Sequence, residues 1–286
     1  MAVLIDGHPG ERIPVTDRGL SYGDGLFETL ALADAGPCLW GRHLERLDAG
    51  CRRLGIAAPD HGVLRREAAQ AIAGRNDGVL KIILTRGNGG RGYRPDPAAR
   101  PRRILLCFPG PEYPASWAVE GVQVRFCATQ LGRNPRLAGI KHLNRLEQVL
   151  ARAEWANPAI AEGLMLDSEG LVIEGTMSNL FVERDGRLLT PRLDRTGVAG
   201  VVRTLVLEQA RAQGIVCEER DLKPHELLAA DALFLTNSLI GIWPVRRLEE
   251  RRYSLGALTL TLREAVRASA LGTPEWRAPQ TAAGGL

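Results

Sequence analysis

Three prolines fall within six residues at Pro109-Gly110-Pro111-Glu112-Tyr113-Pro114. Proline fixes φ and removes a backbone donor, so this stretch cannot continue a helix or sit inside a sheet, and it reads as a connection between two bodies. The boundaries that follow are a smaller N-terminal domain over 1–112, a linker over 113–117 and a larger domain over 118–271. The segment 272–286, rich in Pro, Ala and Gly, is expected to be a mobile tail. A chain of 286 residues with 45% hydrophobic content can fill two modest cores of this kind.

On the N-terminal side, residues 2 to 33 read as short strands and turns, with Asp6-Gly7 a tight-turn dipeptide. Leu44, Leu47, Cys51 and Leu54 recur at helical spacing within 42–54, and a second helix is expected over 61–73. Apolar runs of strand length at 79–85 and 102–108 flank the glycine-rich segment 86–93. Beyond the prolines, Val122, Val124, Phe126 and Ala128 alternate as one face of a strand. A helix over 144–155 is expected to turn Leu146, Val149, Leu150 and Ala153 inward. Further strands are expected at 163–167, 171–174, 179–183 and 232–236, and helices at 200–213, 224–229 and 255–268. Strands clustered in hairpins and mixed with helices predict an α+β fold in preference to a regularly alternating parallel sheet.

No apolar run approaches the roughly 20 residues that cross a bilayer. Met1 to Glu11 carries acidic and turn residues where a secretory leader places a basic cluster and an apolar stretch. A cytoplasmic protein with no membrane partner is expected. The five cysteines, Cys38, Cys51, Cys107, Cys127 and Cys217, include no C-x-x-C pair, so neither a disulfide framework nor a metal site is indicated. The net charge is +4 and the pI near 9.0, but basic and acidic residues are interleaved, so nucleic acid is not an expected partner.

Of the 37 basic residues only three are lysines, Lys81, Lys141 and Lys223. A chain that uses arginine nearly everywhere keeps lysine where drift left it or where chemistry needs an amine that can lose its proton. Lys141 stands among apolar neighbours in Leu137-Ala138-Gly139-Ile140-Lys141-His142-Leu143, where desolvation would favour the neutral, nucleophilic amine; a stem snorkelling along the surface is the plainer alternative. Glu174 ends a strand and precedes Gly175-Thr176-Met177-Ser178-Asn179. It suits either a turn cap or a partner for a protonated ring nitrogen. The run Arg195-Thr196-Gly197-Val198-Ala199-Gly200-Val201-Val202 opens a helix, whose free amides can bind phosphate. Arg86-Gly87-Asn88-Gly89-Gly90-Arg91-Gly92 is either a flexible hairpin tip or a carboxylate-binding loop.

Several stretches carry a resemblance that spacing alone does not. Asp17-Arg18-Gly19-Leu20-Ser21-Tyr22-Gly23-Asp24-Gly25-Leu26-Phe27-Glu28-Thr29, His43-Leu44-Glu45-Arg46-Leu47, Gly139-Ile140-Lys141-His142-Leu143-Asn144-Arg145-Leu146-Glu147-Gln148-Val149, Glu174 to Phe181 and Gly197 to Arg203 resemble the fold-type IV enzymes that use pyridoxal 5'-phosphate (PLP). Within that family they look most like the aminodeoxychorismate lyases, in order from about residue 2 to residue 268.

The resemblance implies two α/β domains with the cofactor in the cleft between them. It implies Lys141 as the Schiff-base lysine, Glu174 as the partner of the pyridine nitrogen and Arg46 as a phosphate ligand. The amides of Val201 and Val202, with Ser238 in the Thr236-Asn237-Ser238 turn, would complete the phosphate cup. Thr29 is implied in proton handling, and Arg91, Tyr93 and Asn237 in substrate binding. The implied activity is a PLP-dependent lyase of folate biosynthesis that turns 4-amino-4-deoxychorismate into 4-aminobenzoate and pyruvate, working as a homodimer. An aminotransferase for branched-chain or D-amino acids is the alternative on the same fold, and a non-catalytic anion-binding protein is the alternative of another class.

Overall fold

A computed structural model describes residues 2–34, 36–271 and Trp276. The chain divides into two units, Met1–Pro111 with Lys141–Asn144 and Ala270–Leu286, and Glu112–Ile140 with Arg145–Ser269. The four residues Lys141–Asn144, which the sequence places in the larger domain, group with the N-terminal unit. The helix and strand content mixes as expected of an α+β fold.

Among the described residues, the first unit is built on a six-stranded sheet in the order His8–Pro9, Ala2–Ile5, Arg102–Phe108, Gly78–Thr85, Gly25–Ala33 and Gly36–Pro37. Every neighbouring pair is antiparallel. The strand Gly25–Ala33 buries its even positions from Leu26 to Leu32, while Phe27, Thr29 and Ala31 are only half-buried on the opposite face. Against the buried side lies the helix Trp40–Leu54, which turns His43, Leu44, Leu47, Gly50 and Cys51 inward at helical spacing. Of the tail expected to be mobile, only Trp276 lies within the described residues. Its ring packs edge-on against Trp40 with centroids 5.0 Å apart, and the rest of that segment lies outside the described residues.

In the second unit a nine-stranded mixed sheet runs Cys217–Arg220, Arg187–Pro191, Asn179–Arg184, Ala232–Asn237, Gly241–Leu248, Val122–Phe126, Ile160–Leu166 and Val172–Gly175, with Arg251–Arg252 paired to Gly241–Leu248. Phe181 and Phe234 are direct cross-strand partners and stack at 4.9 Å. Two of the residues read as a linker, Tyr113 and Trp117, pack against this unit's core. Ala115–Glu120 is helical, and Tyr113 and Trp117 pack onto Trp243 with centroids 4.7 and 5.1 Å apart. The prolines do end regular structure, but aromatic burial holds the next residues in place.

A second correction concerns the helix Leu146–Arg152. Leu146, Val149 and Leu150 are 69, 60 and 54% exposed, and the inward side carries Ala151, which packs with the nearby Trp155 against Leu131 and Met165. Periodicity finds an apolar stripe but does not say which surface covers it.

The helix Ala257–Leu271 is anchored at its start by a buried carboxylate from another strand. Glu183 accepts hydrogen bonds from the amides of Leu258 (3.3 Å) and Thr259 (2.6 Å) and from the Thr259 hydroxyl. Gly256 leaves the room, since a Cβ there would stand 2.1 Å from Glu183 Oε1. Replacing this carboxylate strands buried donors, so Glu183→Ala is expected to destabilise the second unit by about 2–3 kcal/mol and Thr259→Val by about 1 kcal/mol. Urea unfolding followed by tryptophan fluorescence measures both, and midpoints equal to wild type would show that the helix start does not depend on Glu183.

Candidate active-site residues

In the first unit, Lys141 is fixed through its backbone. Phe27 N–H donates to Lys141 O (3.0 Å), Leu143 N–H donates to Gly25 O (3.0 Å), and Leu26 pairs antiparallel with His142. The segment thus extends the edge of the strand Gly25–Ala33. Alternation then puts the Lys141 side chain on the face of Phe27 and Thr29. Its Nζ lies 4.3 Å from the Phe27 ring centroid, a cation–π contact. Close approach here requires Gly25, because a Cβ would sit 2.4 Å from Leu84 O and 2.8 Å from Leu143 Cδ1. Thr29 lies across from Lys81 in the sheet, and Lys81 Nζ is 5.3 Å from the same Phe27 ring. Two of the chain's three lysines therefore meet one aromatic side chain.

On the buried side of that strand, Glu28 joins His43 and Arg46 of the helix Trp40–Leu54. Arg46 Nε donates to Glu28 Oε1 at 2.9 Å, its Nη2 donates to Oε2, and His43 Nδ1 lies 2.6 Å from Oε2. Burial alone would raise the Glu28 pKa, but the Arg46 charge and the His43 hydrogen bond outweigh it and hold the carboxyl down to about 2. Burial pushes the His43 pKa down; Glu28 opposes that shift, and the charges of Arg46 and Lys141 add to it. A charged Glu28 can only accept, so it selects the His43 tautomer with its proton on Nδ1.

The loop 86–93 is fastened from below. Arg18 Nη1 donates to Gly92 O (3.0 Å) and Nη2 to Tyr93 O (2.9 Å), while Gly92 N–H donates to Tyr22 Oη (3.2 Å). Asp24 bridges Arg18 and Arg86, and these two guanidiniums hold its pKa below the ordinary carboxylate value against the opposing effect of burial. Arg91 and Tyr93 themselves stand in solvent, Tyr93 being 85% exposed with its ring 5.5 Å from that of Tyr22.

In the second unit, the buried Glu174 ends the strand Val172–Gly175. Its Oε2 accepts from Val198 N–H (2.8 Å) and, at longer range, from Asn179 Nδ2 (3.4 Å), which also donates to Val198 O at 2.9 Å. Gly197 makes this turn possible with φ +87°, and a Cβ there would lie 3.2 Å from Glu174 Oε2. Arg145 lies within electrostatic reach. Burial lowers its pKa while Glu174 and Glu147 pull it back up.

The residues between Glu174 and Asn179 are pinned by a carboxylate that sequence reading passed over. Glu162, itself buried, accepts from the amides of Gly163 (2.9 Å), Thr176 (3.0 Å) and Met177 (3.1 Å), and from the hydroxyls of Thr176 and Ser178. The helix Val201–Ala212 follows with Gly200 as its N-cap and no side chain capping it, so the first-turn amides of Val201 and Val202 keep their anion-binding character. Thr236 Oγ1 is buried with no hydrogen-bond partner among the described residues, and half-buried Ser238 lies two positions along in the same turn. Asn237 is committed to that turn. Its Oδ1 accepts from Leu239 and Ile240 N–H (2.8 and 2.9 Å) and its Nδ2 donates to Met177 O (3.1 Å).

Comparison with known proteins assigns the family. Residues 25–248 match the model of the amino-transferase class IV family. The chain is 39% identical over 241 residues to the aminodeoxychorismate lyase of Vibrio harveyi, covering 84% of this chain and 89% of that protein. It is 28% identical over 262 residues to a putative branched-chain-amino-acid aminotransferase of Methanocaldococcus jannaschii, covering 88% and 89%. The crystal structure of 4-amino-4-deoxychorismate lyase from Pseudomonas aeruginosa superposes with a TM-score of 0.90 at 50% identity, covering 94% of this chain and 99% of that one. The chain therefore belongs to the amino-transferase class IV family, a family of PLP-dependent enzymes.

Proposed function

We propose that this chain is a PLP-dependent carbon–oxygen lyase that converts 4-amino-4-deoxychorismate to 4-aminobenzoate and pyruvate in folate biosynthesis. The observation that carries the reading is the Lys141 amine held by strand pairing over Phe27, on the face that also bears Thr29. The similarity to the Vibrio and Pseudomonas lyases, over most of each chain, favours this reaction among those the fold supports.

The residues fit the cofactor. Among the described residues, an unpartnered buried hydroxyl at Thr236 and an uncapped helix start at Val201 suit a phosphate, and an amine on a ring face suits an aldehyde. Lys141 would bond the cofactor, Arg46, Val201, Val202 and Ser238 would hold its phosphate, and Glu174 would keep a proton on its ring nitrogen. When bound, PLP supplies an electron sink, strongest while that nitrogen stays protonated.

Lys141 then serves a second purpose. With substrate bound, its free amine would be the base that takes the proton from C4. Electron flow breaks the C3–oxygen bond, and the departing enolpyruvate becomes pyruvate when a proton reaches its methylene carbon. Thr29, on the same strand face as Lys141, carries that proton. Loss of the C4 proton and the C3 oxygen leaves an aromatic ring, which makes the step irreversible. Arg91 and Tyr93 contact the anionic substrate, and Asn237 acts on it through the turn that it shapes.

We further propose a cytoplasmic homodimer. Among the described residues no helix is long and apolar enough to cross a membrane. The exposed stripe of Leu146, Val149 and Leu150 is the apolar surface we assign to the contact between copies.

The purified enzyme should release pyruvate and 4-aminobenzoate in equal amounts from aminodeoxychorismate. Lys141→Ala should abolish both the release and the yellow colour, and Thr29→Val should lower kcat by about a hundredfold while the colour stays. Amino transfer to 2-oxoglutarate without pyruvate release would instead establish the aminotransferase reading that the Methanocaldococcus relative represents. Val149→Glu with Leu150→Glu should convert the dimer to a monomer in analytical ultracentrifugation; an unchanged dimer places the contact elsewhere.

A further inference from the structure

Arg46 does not reach its ligand as a loose cation. Its Nε and Nη2 edge is locked in a two-pronged fork on Glu28, and Nη1 lies outside that fork. Glu28 is in turn gripped by His43 Nδ1 at 2.6 Å, and the side chains of both are 1% exposed. The fork removes the rotational freedom of a long side chain and fixes the guanidinium plane, as a bidentate carboxylate does for arginine. It also sets the Arg46 charge against the ionised Glu28, while burial pushes the His43 pKa down. An arginine paired in this way gains little from bulk charge attraction and depends on geometry for anion recognition.

We infer that Glu28, held by His43, is a positioning residue that aims Arg46 at the cofactor's phosphate and thereby sets the enzyme's preference for PLP over unphosphorylated pyridoxal. The inference rests on the proposed role of Arg46 as a phosphate ligand. It adds that the preference belongs to a three-residue unit in which two members never touch the ligand. Lysine at position 46 could supply the charge but not the fork, so Arg46→Lys should not restore the preference.

A purely structural ion pair gives a different signature. PLP and pyridoxal both offer an aldehyde to Lys141 and differ only in the phosphate. General loosening of the fold would weaken both, whereas misaimed Arg46 weakens PLP alone. The full-length enzyme is stripped of cofactor and titrated with each compound, reading the visible absorption of the bound form. Arg46→Gln should weaken PLP by about a hundredfold with pyridoxal within about twofold of wild type, and Glu28→Gln should weaken PLP by about tenfold with the same pyridoxal behaviour. The double variant should be no worse than Arg46→Gln, because both changes act through one contact. An unchanged ratio in Glu28→Gln beside a collapsed ratio in Arg46→Gln overturns the inference and leaves the phosphate assignment intact; an unchanged ratio in Arg46→Gln overturns that assignment. Should Glu28→Gln fail to fold, His43→Gln replaces it. That variant removes the imidazole's hold on the Glu28 carboxylate, and a PLP-to-pyridoxal ratio equal to wild type there rejects the positioning role.

Discussion

Two backbone hydrogen bonds, from Phe27 to Lys141 and from Leu143 to Gly25, determine where the Lys141 amine stands. They convert a connecting segment into an additional edge pairing of the strand Gly25–Ala33. The pleat of the strand then aims the side chain of Lys141 at the face of Phe27. The aromatic face beneath it tolerates a cation while offering no proton acceptor of its own.

Negative charge is placed with the same economy elsewhere. Glu28, Glu162, Glu174 and Glu183 are all buried, and each accepts directed hydrogen bonds. Glu28 has charged company in Arg46. Glu162 and Glu183 are satisfied by amides and hydroxyls, so their chief effect is to fasten backbone, the turn 175–178 in one case and a helix start in the other. A buried carboxylate with its acceptor sites occupied rigidifies its surroundings, because any movement leaves polar groups unpaired.

Much of this was legible in the chain. Strands at 79–85 and 102–108 and helices near 42–54 and 201–212 follow from periodicity, because each buries a continuous apolar face. Lys141 stands out as one of three lysines. Glu28 does not, since a carboxylate at an inward strand position is recognisable only once His43 and Arg46 are seen opposite it. Glu162 was equally silent, as its donors come from Gly163 and from a turn more than ten residues downstream. Proline composition marked the break near Pro114 but could not reveal that Tyr113 and Trp117 pack against Trp243. The outward stripe on Leu146–Arg152 shows the same limit, for an apolar pattern records that a surface is to be covered without recording by what.

The pleated pairing around Lys141 also bears on which sequence changes this region can absorb. Phe27 and Thr29 lie on one side of their strand, and Leu26 and Glu28 on the other. Inserting or deleting one residue within the paired run would carry the lysine to the Glu28 side, exchanging its aromatic support for a carboxylate. Point substitutions can vary what surrounds the amine, but the length of the segment is fixed by parity, so homologous recombination or loop grafting here must preserve residue count before it preserves residue identity.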